Sequence, residues 1–216
     1  MKVKGDNMEE ISIKKFKDMS NIEVIKKLLE LKKGYITAKQ ITDLGIHRTY
    51  LKIMLDRNLI KKVGSGVYTD NNVTPDPYYI LSLIIPNIVY SHQTSLYLHG
   101  FLYETDTSKE SFDITTKKEY HNPTLVKHQV FRVPNNIFEI GLNDVMTPFG
   151  NMVKAYDVER SICDIVKYRK KMNTDYIKHS LRKYLEWKGK DLVKLSRYAE
   201  KLGIKDELFE ILNWMS

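Results

Sequence analysis

Apolar positions spaced three and four apart open the chain. Ile22, Ile25, Leu28 and Leu29 fall on one face of a helix, and Gly34 stops it. Ser20-Asn21-Ile22-Glu23 has the S-x-x-E form of a capping box, in which Ser20 and Glu23 satisfy each other's orphan amides. Thr37-Ala38-Lys39-Gln40 repeats that signal ahead of Ala38, Ile41 and Leu44, a short second helix ending at Gly45. A third helix runs from about His47 to Asn58 with Leu51, Met54 and Leu55 inward. Three short helices with a glycine turn between the last two follow the helix-turn-helix plan. The period then changes. Leu59-Ile60-Lys61-Lys62-Val63 and Val67-Tyr68-Thr69 are β-prone runs joined by Gly64-Ser65-Gly66, where glycine supplies the positive φ angles of a tight hairpin. A helix followed at once by a basic hairpin predicts a winged helix-turn-helix over residues 1–70.

Asn71–Pro77, with two prolines and two adjacent asparagines, reads as a linker. Beyond it helical and extended patterns mix. Pro77 starts a helix that Pro86 terminates, Ile88–Tyr90 is a short strand, and Ser91 or His92 opens a helix that stops at Gly100. Phe112–Thr115, Val130–Val133 and Met152–Ala155 are further short strands. Asp157–Arg169 is a helix with Val158, Ile162, Ile165 and Val166 inward, and three more follow near 175–187, 191–202 and 206–214. The expected fold is therefore α+β: an N-terminal winged helix-turn-helix, then a mixed α/β domain over 77–216 with a helical C-terminal tail.

Charge sharpens this division. The net +8 of the 216 residues splits into +6 for residues 1–70, −3 for 71–150 and +5 for 151–216. Two basic ends around an acidic middle point to a polyanionic partner. The single cysteine, Cys163, excludes an intrachain disulfide framework and a Cys-rich metal site, and fits a reducing, cytoplasmic setting. The polar Met1–Glu10 segment lacks the apolar core of a secretory signal. The longest apolar stretch, Tyr78–Ile85, falls far short of the roughly 20 residues of a membrane helix.

With Leu51, Met54 and Leu55 inward, the third helix turns Thr49, Lys52, Ile53 and Asp56 outward, with Arg48 in its first turn. Recognition helices meet base edges there. Arg48 is the candidate for guanine, since its planar fork can donate to O6 and N7 together. Thr49 and Lys52 can reach bases or phosphates, Ile53 a thymine methyl, and Lys61, Lys62 and Ser65 of the wing the phosphates. His47 reads as a turn or capping residue. Lys178, Arg182, Lys194, Arg197 and Lys201 form a second basic stripe on the C-terminal helices.

Catalytic patterns are not found. His92 and His99 lie seven apart on one helical face, but no further ligand has matching spacing, so no metal and no cofactor are expected. The (D/E)-x-K triplet of one nuclease class occurs only at Glu30–Lys32 and Glu186–Lys188, below chance frequency, and neither ends a predicted strand. No phosphate-binding glycine loop and no G-x-S-x-G is present, and Cys163 reads as a packing residue. The chain is not expected to be an enzyme.

The order of its motifs resembles a known family. After the wing come Asp76-Pro77-Tyr78-Tyr79, Ile88-Val89-Tyr90-Ser91-His92 and Leu98-His99-Gly100, and later the run from Val153 to Asp164 containing Tyr156-Asp157-Val158-Glu159-Arg160. This resembles the AbiEi antitoxins of bacterial AbiE abortive-infection systems over nearly the whole chain. The resemblance implies the antitoxin half of a type IV toxin–antitoxin pair, opposing a nucleotidyltransferase-like toxin without needing to bind it. It also implies repression of its own promoter through inverted repeats, read by the winged helix with Arg48, Thr49, Lys52, Lys61 and Lys62, and toxin neutralisation by the C-terminal domain. A monomer or weak dimer is expected. Asp157, Glu159, Arg160 and Asp164 match the helix that marks the family and are read as structural, with Arg160 paired to a carboxylate. The alternative is a stand-alone winged-helix regulator with no toxin to oppose.

Overall fold

The computed structural model describes residues 19–101 and 111–215, so the Met1–Glu10 segment lies outside the described residues. The chain divides into two compact units, Met1–Ile84 and Ile85–Ser216.

The first unit carries α1 (Asn21–Leu31), β1 (Tyr35–Thr37), α2 (Ala38–Asp43), α3 (Thr49–Asp56), β2 (Ile60–Gly64), β3 (Val67–Asp70) and α4 (Pro77–Ile84). Both expected capping boxes form. Ser20 and Thr37 accept from the amides of Glu23 and Gln40, whose side chains reach back to the cap amides. Val24, Ile25, Leu28, Ile36, Ile41, Leu51, Met54 and Ile60 make one core beneath the helices. The strands form an antiparallel sheet in the order β1-β3-β2, with Tyr35 opposite Thr69 and Lys62 opposite Tyr68.

Two features of this unit depart from the sequence reading. Strand β1 was not anticipated, because three residues between a helix-stopping glycine and a cap carry no periodicity. Its pairing comes from β3, thirty residues on. The second departure concerns Asn71–Pro77, which is held in place rather than loose. Tyr35 Oη donates to the Thr74 carbonyl (3.1 Å) and accepts from the Asp76 amide (2.9 Å). Buried Asp76 in turn accepts from the amides of Tyr78 and Tyr79, capping α4. Helix α4, assigned from sequence to the second domain, packs on β2 and groups with the first unit. A Cβ on Gly64 would lie 2.8 Å from Ile84 Cδ1, so a larger residue there would make the Ile84 side chain shift.

The second unit has β4 (Val89–Tyr90), α5 (His92–Leu98), β5 (Asp113–Lys117), β6 (Gln129–Val133), α6 (Asn135–Phe138), β7 (Leu142–Met146) and β8 (Met152–Tyr156). Helices α7 (Val158–Lys167), α8 (Thr174–Glu186), α9 (Leu192–Leu202) and α10 (Lys205–Met215) follow. Its mixed sheet has the order β6-β5-β4-β8-β7, with β4–β8 and β5–β6 parallel and the other pairs antiparallel. The helical tail forms as expected, and Ile162, Ile165, Val166, Leu181, Leu195, Ala199 and Leu208 fill the core between its helices. Strand β7 was missed. It is an edge strand of which only Val145 is buried, so apolar alternation is absent. The architecture is thus mixed α+β, and among the described residues no helix is long and apolar enough to cross a membrane.

Candidate nucleic-acid interface

The outward face of α3 follows from its amphipathic pattern. Leu51 and Met54 are buried, while Arg48, Thr49, Lys52 and Asp56 are exposed and Ile53 is half-buried. The helix entry is locally ordered. His47 Nδ1 accepts from the Thr49 amide (3.2 Å) and lies 2.6 Å from Thr49 Oγ1, so His47 caps the first turn and occupies the Thr49 hydroxyl. Arg48 Nε donates to Thr42 Oγ1 at 3.0 Å, and Thr42 Oγ1 donates to the Ala38 carbonyl at 2.9 Å. This chain aims Arg48 from the α2–α3 turn while leaving its guanidinium in solvent.

The β2–β3 hairpin is held at its root. Ala38 N donates to the Gly66 carbonyl at 2.7 Å, tying the hairpin turn to the start of α2. A bulge between Lys62 and Gly64 and a φ of +67° at Gly66 close that turn, with Ser65 at its exposed tip. Lys62 is exposed, but Lys61 is not part of this surface. Its Nζ donates to the carbonyls of Asn71 (3.2 Å) and Val73 (2.9 Å) and pins the segment that follows the wing. Two basic side chains passed over in the sequence, Lys39 at the start of α2 and Arg57 at the end of α3, are exposed. Ala38 at the wing root was the signal for Lys39. Asp43 and Asp56 are the exposed acids among these elements.

The C-terminal stripe is changed in the same way as the wing. Lys178, Arg182, Arg197 and Lys201 are exposed on α8 and α9. Lys194 is not a free cation. Its Nζ bridges Glu159 (2.8 Å) and Asp157 (3.1 Å), and these two carboxylates outweigh its partial burial and raise its proton affinity. Glu159 also accepts from the Asp191 amide and the Tyr184 hydroxyl, and Asp157 accepts from the Arg160 amide and the Tyr198 hydroxyl. These acids join the start of α7 to α9.

Arg160 is fully buried. Its Nε donates to both oxygens of Asp164 (3.1 and 3.0 Å), its Nη1 donates to the carbonyls of Ile137 and Ile140 (2.8 and 2.7 Å), and its guanidinium lies 4.2 Å from the Tyr156 ring centre. Gly141 makes room: it has a φ of +77°, and a Cβ there would sit 2.6 Å from Arg160 Cβ. The expected Arg160–carboxylate pair exists, and its work is to lock α7 to the α6–β7 turn. Nearby His92 is buried with a φ of +47° and stacks on Phe131 at 3.6 Å. Burial, and then the Arg160 charge, hold its pKa well below 6.5. His99 Nε2 sits 2.9 Å from the Tyr156 carbonyl, so the two histidines of α5 and its cap are separately engaged. Burial pushes the Cys163 thiol far up, in keeping with a packing role. Among the described residues no cluster of three His, Cys, Asp or Glu side chains could hold a metal ion.

Comparison with known proteins now bears on the first unit. No curated protein matches the sequence. The fold is similar to the crystal structure of the RV2827C protein from Mycobacterium tuberculosis, with a TM-score of 0.55 and 14% identity over 82% of this chain and 70% of that one. Residues 23–69, which span α1 to β3, match a family model described as transcriptional regulator, AbiEi antitoxin. The segment that builds the exposed basic helix and its hairpin is thus the part of the chain that matches the AbiEi family model.

Proposed function

We propose that this protein is a DNA-binding regulator whose first unit works as a winged helix-turn-helix, represses its own promoter at inverted repeats, and forms the antitoxin half of a type IV toxin–antitoxin pair. The observation that carries the reading is the coincidence of the family match with an exposed basic surface: α3 with Arg48, Lys52 and Arg57, flanked by Lys39 and Lys62. In this reading α3 enters the major groove and Arg48 reads a guanine from its ordered position. Lys52, Lys62, Lys39 and Arg57 hold phosphates, and Ser65 contributes its hydroxyl to the backbone. The second unit opposes a nucleotidyltransferase-like toxin, with no direct contact required.

Fluorescence anisotropy of the full chain on its own promoter DNA, against a scrambled duplex, tests the reading. Four neutralised phosphates give a slope of log K against log[salt] of about −3 to −4. Arg48→Ala removes the preference for the promoter. A flat salt response, or equal affinity for both duplexes, rejects operator recognition. Toxin opposition is tested separately, by co-expression with a nucleotidyltransferase-like toxin: growth arrest that the full chain does not relieve rejects the antitoxin role.

A further inference from the structure

A second candidate site lies within the second unit. The C-terminal ends of α5 and α8 and the start of α7 enclose an open cleft of about 390 Å³, lined by His99, Phe101, Val158, Lys183, Glu186 and Trp187. That volume is within the roughly 300–1,000 Å³ of small-ligand clefts. The rings are ordered. Trp187 meets Phe101 edge-on at 5.6 Å and 81°, and Lys183 Nζ lies 5.7 Å from the Phe101 centroid. Phe101 is buried, whereas 37% of Trp187 stays in solvent, so part of the indole is accessible from the cleft.

The surroundings identify the ligand chemistry. Trp187 stands in the turn Trp187-Lys188-Gly189-Lys190, where a Cβ on Gly189 would lie 2.6 Å from the indole, so the turn lies flat against one side of the ring. Lys190 Nζ reaches back to the Trp187 carbonyl at 3.3 Å, and Lys188 is exposed. An exposed ring between lysines suits a planar group attached to an anionic chain, as in an unpaired base on its phosphate backbone. Glu186, the acid in the cleft, is an acceptor for a base N–H group. A duplex hides its base faces and has no use for such a cleft.

We propose that this cleft binds single-stranded nucleic acid, with one base stacked on Trp187 and the flanking phosphates on Lys183 and Lys188. The site lies wholly within the second unit, and its test is independent of the proposed operator binding by the first.

The test uses the full chain carrying Trp214→Phe, which leaves Trp187 as the single tryptophan reporter; Trp214 is 85% exposed and its replacement is mild. Octameric oligoadenylate RNA and its DNA counterpart are titrated at two salt concentrations. Expected is saturable quenching of Trp187 that weakens with salt, while the sugar preference tells RNA from DNA. With a labelled oligomer, Trp187→Leu lowers affinity by about 5- to 150-fold, the range that one stacked base contributes. Lys183→Glu and Lys188→Glu weaken it without affecting promoter-duplex binding, and Arg48→Ala does the reverse. Matching thermal melts for Lys188→Glu and the parent separate loss of a contact from loss of fold. The proposal is overturned by absent quenching, by full displacement of the oligomer with promoter duplex, or by unchanged oligomer affinity in the Trp187 and both lysine variants.

Discussion

Arg48 and Arg160 each stand at the start of a helix, and the two units put them to opposite uses. Arg48 touches one threonine hydroxyl and otherwise faces water; Arg160 is sealed inside the protein with a carboxylate, two carbonyls and a tyrosine ring. Lysines divide the same way, for Lys52 and Lys62 are exposed whereas Lys194 is held by two acids. Sequence charge therefore overstates what either unit offers to a polyanion, since Lys61 in the first and Arg160 and Lys194 in the second are already engaged. Desolvation decides the difference: a buried guanidinium must be paired, and once paired it serves the fold rather than a ligand.

The strongest way to break this comparison is to remove the buried member. Arg160→Met strands the Asp164 carboxylate, and the expected loss is about 3–5 kcal/mol in urea unfolding of the full chain. A loss under 1 kcal/mol would show that the pair is structurally idle. Next comes the cradle of that arginine. Gly141→Ala adds a Cβ at a φ of +77° directly against Arg160 and should cost about 1–3 kcal/mol, whereas the same change at Gly45, where nothing lies within 4 Å, carries only the strain of its positive φ. If both cost the same, close approach at Gly141 is irrelevant.

Acidity sharpens the contrast further. His92 is kept neutral in the folded state by burial and then by Arg160, with its pKa well below 6.5, and takes a proton readily only when unfolded. Stability from this group is intact above pH 6.5 and declines as pH falls below it, by up to about 1.4 kcal/mol per pH unit. Unfolding midpoints measured between pH 7.5 and 5 should show the decline, and His92→Gln should flatten it. A parent curve that does not respond over that range rejects the assignment. The smallest effect on the fold belongs to Arg48→Ala, within about 0.5 kcal/mol of the parent, yet it should remove promoter preference. A variant that unfolds as readily as Arg160→Met would erase the distinction between the two arginines.

Much of this was legible along the chain because the determinants are local. The capping boxes at Ser20 and Thr37, the stripe of Leu51 and Met54, and the glycine turn of the hairpin each involve residues within four positions, and each formed as read. The carboxylate partner of Arg160 was foreseeable for the same reason, since Asp164 lies one helical turn away. Strand β1 and edge strand β7 were not legible, because their partners lie beyond a loop and their own residues show no alternation. The places of Lys61 and Lys194 were equally hidden. Lys61 is occupied by Asn71 and Val73, and Lys194 by acids 35 and 37 positions earlier.

The sequence by itself thus determined the helices, the hairpin and the basic character of α3, because amphipathic spacing, caps and glycine φ preferences act over one or two turns. Only the tertiary structure decided which cations remain available, that α4 belongs with the first unit, and that Phe101, Lys183 and Trp187 share a cleft. Those outcomes rest on burial and pairing between residues far apart in the chain, and burial is a property of the packed molecule.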